Sequence, residues 1–154
     1  MSTQWTDNDL KQFLDKNGFE MRYVLYYDTM RFATNVTDET YFEISSNHEK
    51  NQGTIKVDFP SNSSFLNYKD ELIGLLNVQD SYKKTKKVLK ENIVDTKESG
   101  TESDLKIQFP DDVLVTTSWD ISDSKQNWIK SLKFEFGDIS KLSCDSPIEK
   151  FIAP

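Results

Sequence analysis

The side chains that most often carry chemistry are sparse in this chain. Its one histidine, His48, lies in the polar run Asn47-His48-Glu49, and its one cysteine, Cys144, lies in Leu-Ser-Cys-Asp-Ser-Pro. A zinc site needs three or four suitable ligands, so one histidine without a second His or Cys nearby does not build one. A Ser-His-Asp or Cys-His arrangement would have to recruit His48 through the fold, because such constellations are defined by geometry. Asp145, immediately after Cys144, raises a thiol pKa and does not activate it. His48 therefore reads as a solvated loop residue and Cys144 as a small, partly buried one.

Carboxylates are plentiful, but none stands in a recognisable catalytic pattern. Asp111-Asp112 follows Pro110 and reads as turn chemistry, and Asp7-Asn8-Asp9 suits a helix start, where acids favour the dipole. Neither extends into a calcium loop, and Lys84-Thr85 lacks the glycines of a phosphate-binding loop. The expectation is a non-enzymatic protein without metal or cofactor. An enzyme working through acids and His48 is the weaker alternative.

Charge is the less generic feature. The chain holds 26 acids and 19 bases, for a net charge of −7. Residues 78–94 reverse that sign, with five lysines against two acids. Read as a helix, this stretch places Val78, Tyr82, Leu89 and Ile93 on one face, with Lys83, Lys86, Lys87 and Lys90 on the adjoining flank and Lys84 further round. Lysines beside an apolar stripe commonly solubilise an amphipathic helix. They also suit docking to an acidic protein patch. Nucleic acid is disfavoured by the negative remainder and by the absence of arginine in the run. A membrane surface is disfavoured by the same field.

Aromatic residues supply the other candidate surface. There are ten Phe, six Tyr and three Trp, and Tyr23, Tyr26, Tyr27, Phe32, Tyr41 and Phe42 fall on neighbouring strands. They can fill the core, form a protein-binding face, or line a ligand cup.

The elements that must position these residues are legible in part. Thr6 caps a first helix with Asp9 at its third position, and Trp5 can staple to Leu10. Leu10, Phe13 and Leu14 form its apolar stripe, and Gly18 with Phe19 closes it, giving a helix from Asp7 to about Asn17. Strands are expected at Met21 to Tyr27, Arg31 to Val36, Tyr41 to Ser46 and Thr54 to Phe59, where Ile55, Val57 and Phe59 alternate inward and Pro60 stops the run. Short connections make these a four-stranded antiparallel meander. Helices follow at about Asn67 to Asn77 and Gln79 to Val94, with a break near Asn77 or a single bent helix. Asp95 to Ser103 reads as a flexible polar loop. Leu105 to Phe109, Val113 to Trp119 and Trp128 to Phe136 read as strands. Ile139 and Leu142 suggest a short helix or edge strand, and Ile148 to Pro154 a docked tail. Ile55-Lys-Val-Asp-Phe-Pro60 echoes Leu105-Lys-Ile-Gln-Phe-Pro110, which we read as the shared physics of a half-buried strand ended by proline, not as a duplication.

A chain of 154 residues fits one domain able to bury a real core. The expected class is α+β, an antiparallel sheet of about seven strands packed on an N-terminal helix and a central helical pair. The start of the sequence has no signal-peptide pattern, no apolar run spans a membrane, and one cysteine forms no internal disulfide, so the cytoplasm is the default compartment. Asn35-Val-Thr37 and Asn62-Ser-Ser64 match the glycosylation pattern but carry little weight there. The function these readings favour is a protein-binding module, such as an inhibitor, immunity-type or chaperone-like adaptor. Its partner class includes a second copy of the chain, and the alternative is a small-molecule cup lined by the Tyr-rich strands.

Overall fold

Alternation of apolar and polar residues at period two sets most of this fold. The computed structural model describes residues 7–25, 30–47, 52–110 and 112–138. Helix α1 (Asp7–Lys16) leads into strands β1 (Phe19–Leu25), β2 (Met30–Asn35), β3 (Tyr41–Asn47) and β4 (Gln52–Asp58). Three short helices follow, α2 (Asn62–Leu66), α3 (Lys69–Leu76) and α4 (Tyr82–Val88), with a 3₁₀ turn at Lys90–Asn92. Strands β5 (Ile93–Glu98), β6 (Glu102–Phe109), β7 (Val113–Asp120) and β8 (Trp128–Phe136) complete the described chain.

The eight described strands form one antiparallel sheet in the order β1-β2-β3-β4-β8-β7-β6-β5. Each half is a helix followed by a four-stranded meander, and the last strands of the two meanders pair at the centre of the sheet. The fold is thus α+β as expected, with one strand more than the seven read from sequence. The Ile55 and Leu105 echo falls on β4 and β6, a last strand and a second strand of their meanders, so it marks no duplicated position.

Register carries the core across the sheet in rows. Ile44, Ile55, Phe134, Val115 and Ile107 stand opposite one another in turn, and Ala33, Phe42, Val57, Leu132, Thr117 and Leu105 form the next row. All are buried. Each large apolar side chain hidden this way contributes about 1.5–3 kcal/mol against exposure. A bulge between Ser118 and Trp119 lets both Ile129 and Leu132 face inward on β8.

The helices cover that one face. Phe13 of α1 lies with its ring centroid 5.8 Å from Phe42 and 6.5 Å from Phe19. Gly18 ends α1 with φ +74°, a left-handed conformation that favours glycine, as the sequence indicated. Phe65 of α2 and Tyr68 both pack on Phe59 at 5.7 Å. Tyr82 of α4 meets Trp119 of β7 edge-on at 6.4 Å.

Buried Asn35 ties the first half together. Its Nδ2 donates to Asn17 O and to the Tyr68 hydroxyl, and its Oδ1 accepts from the Thr37 and Asp38 amides. A side chain so committed is not free to receive a glycan. In the second half, Trp119 Nε1 donates to Thr117 Oγ1 at 2.9 Å, satisfying both buried groups.

Two expectations are corrected and one helix is added. The helix read at about Asn67 to Asn77 is present as α3, and a further short helix that was not read, α2, precedes it where Ser61 and Ser64 form a capping box. The helix read from Gln79 to Val94 is α4 alone. Asn77 adopts φ 58° at the end of α3, Ser81 caps α4 by accepting from the Lys84 amide, and helix gives way to a 3₁₀ turn after Leu89. The apolar spacing persists because Val78, Tyr82 and Leu89 are buried in sequence, while Ile93 faces inward from a strand. The flexible loop read at Asp95 to Ser103 is instead most of β5, a tight turn and the start of β6. That turn closes through Ser99, whose amide donates to Glu102 O and whose hydroxyl caps the same carbonyl. An edge strand needs only one apolar side, so β5 carries too weak an alternation to announce itself.

Candidate interaction surface

The expected lysine flank and Tyr41 of the expected tyrosine cluster lie on different sides of the sheet. Lys83, Lys86 and Lys87 are on α4, and Lys90 is in the 3₁₀ turn, all in the helical layer. Tyr41 is on the opposite face, where its ring lies 5.8 Å from Phe32 and its hydroxyl donates to Glu43 Oε2 at 3.1 Å. Burial, then the Glu43 carboxylate, pushes the Tyr41 phenol up to about 12. Tyr23 is registered opposite Phe32. Tyr26, Tyr27, His48 and Cys144, with the tail from 139 onward, lie outside the described residues. No single surface therefore unites the lysines with Tyr41.

The face bearing Tyr41 is a polar mosaic. One row across it reads Phe32, Glu43, Lys56, Lys133, Thr116, Lys106 and Asp95. Lys56 and Lys133 stand directly opposite each other at the centre, where like charges destabilise a sheet. Each leans on an acid of its own strand, Asp58 at 3.7 Å and Glu135 at 3.8 Å, exposed pairs worth about 0–1 kcal/mol each. A recess of about 380 Å³ at one end is lined by Asp58, Glu102, Asp104, Ser118, Lys130 and Ser131, among others. Lys130 is already engaged there by Glu102, which raises its pKa. Both positive and negative groups are interspersed over this face, so it selects no single charge sign.

The margin formed by α4 and β5 differs. Tyr82, Thr85 and Leu89 point into the core. Lys86 reaches over β5 to Glu98, Nζ to Oε1 2.9 Å, and this lysine holds the Glu98 carboxyl below its ordinary pKa. At about 3.6 residues per turn, Lys83 then lies beside Lys86 on the β5 side and Lys87 lies on the crown of the helix. Lys84 turns back to Asp80 at 3.2 Å. Lys83, Lys87 and Lys90 are exposed and make no ion pair among the described residues. Burial, then Glu98, pushes the Tyr82 phenol beneath them up to about 12.

Beside the lysines, β5 forms one end of the sheet, with β6 as its only partner strand among the described residues. A bulge falls at Val94, a residue 59% exposed. The Thr96 amide donates to the neighbouring Asp95 Oδ1 at 2.9 Å. Sequence reading found the lysines of this margin but missed Val94, Asp95, Thr96 and Glu98, which it placed in the lost helix and loop. The β-branched residues Ile93, Val94 and Thr96 were the available signal.

Among the described residues, no group of three or more His, Cys, Asp or Glu side chains is placed to hold a metal ion, and no helix is long and apolar enough to cross a membrane. Comparison with protein-family models, with curated proteins and with solved structures finds no match to this chain.

Proposed function

We propose that this protein is a non-enzymatic protein-binding module, and that the α4–β5 margin is where it binds. The observation that supports this is the set of lysines 83, 87 and 90, which stand exposed without an ion pair among the described residues in a chain of net charge −7. Solubility is already served by the acids, so a clustered patch of the minority sign is best used to steer and orient an acidic partner. The exposed Val94 beside it offers the apolar contact that charge alone does not supply. An inhibitor, immunity-type protein or chaperone-like adaptor would use such a margin in the cytoplasm without needing a catalytic group.

A photo-crosslinking amino acid placed at position 83, in cells of the source organism, tests this reading. It should yield a discrete protein adduct that high salt suppresses, while the same group at Thr116 on the opposite face should not. An absence of any adduct at 83, or equal adducts at both positions, would defeat it.

A further inference from the structure

Resting on that protein-binding reading, we infer that the edge of β5 that no described strand covers takes up an extended acidic segment of the partner as an additional antiparallel or parallel strand. An edge strand presents alternate amides and carbonyls outward, a template for strand addition. The Ser99 amide bonds to Glu102 O, and the alternation of an antiparallel pair then turns the Thr96 and Glu98 amides away from β6. The Asp95 bond to the Thr96 amide agrees with this, since that donor has no place in the β5–β6 ladder.

Charge selects the occupant. A strand laid along β5 would alternate its side chains between the two faces of the sheet. Those on the helical face would run beneath Lys83 and Lys90, and beside the Lys86–Glu98 pair, whose carboxylate an incoming acid could replace. Those on the other face would meet exposed Lys97. A second copy of the chain fits less well, because pairing β5 with itself would bring two lysine flanks together. Asp95 is the guard of this edge, occupying the Thr96 donor until a partner carbonyl takes it.

The test is a titration with a short blocked peptide alternating valine and glutamate, followed by amide exchange on the full chain. Binding should slow exchange of the Thr96 and Glu98 amides, fade with salt, and disappear when lysine replaces glutamate in the peptide. Thr96→Pro removes one outward donor where an edge tolerates proline, and should weaken the peptide about ten-fold. Asp95→Ala frees that donor and removes an edge acid, and should tighten binding. If the peptide leaves both amides unchanged, or binds without sensitivity to Thr96→Pro in a folded chain, strand addition is wrong and the bulge and lysines only guard the edge. Should that happen while the adduct at position 83 persists, protein binding stands and only this mode falls. Loss of the adduct as well removes both.

Discussion

The two halves of the sheet share a plan and differ at their outer margins. Each begins with a helix, runs through four antiparallel strands, and ends at the central β4–β8 pair. The first is knotted by Asn35, whose amide joins the end of α1, the turn after β2 and Tyr68. The second places α4 so that its lysines overhang β5, a polar strand held by one described neighbour and a tight turn. One topology can therefore be spent in two ways. Side chains that lock one half are replaced in the other by charges facing outward.

The largest effects should come from the core that both halves share. Trp119→Ala and Phe42→Ala each remove a buried ring, costing about 3–5 kcal/mol. Urea unfolding should show one transition for either variant, because both rings sit over one continuous sheet. Separate transitions for the two halves would break the comparison.

Asn35→Ala should be next, at about 1–3 kcal/mol, since it leaves buried partners unsatisfied. Native-state amide exchange should speed up in β2 and β3 and leave β6 and β7 largely unchanged. Ser81→Ala removes the α4 cap and should cost about 1 kcal/mol, loosening the lysine margin and not the Asn35 knot.

The smallest effect is a matter of pH. Burial, then the nearby Asp38 charge, raises the Tyr68 phenol to about 12, so the folded chain holds this proton longer than the unfolded chain. That contribution is complete below about pH 10 and is lost as pH climbs towards 12. Tyr68→Phe should therefore make the alkaline loss of stability shallower in a denaturant series, despite costing about 1 kcal/mol for the Asn35 bond at neutral pH.

Much of this architecture was legible because apolar residues alternate wherever a strand has one buried face. Ile55, Val57 and Phe59 announced β4, and Leu132, Phe134 and Phe136 announced β8. The pairing of those two strands was not legible, since the helices and three strands lie between them in sequence. Nor was β5, whose polar residues look the same in an edge strand as in a loop. The same blindness divided the candidate surface. Its lysines were readable from charge, but their position over an open strand edge depended on the Leu89 turn and on long-range pairing.

The most direct test of the account compares equivalent helices. A photo-crosslinker at Val94 should form its protein adduct when Lys11 and Lys16 of α1 are changed to glutamate, and lose it when Lys83, Lys87 and Lys90 are changed instead. An adduct that survives both reversals, or is lost equally in both, would contradict the assignment of recognition to the α4–β5 margin.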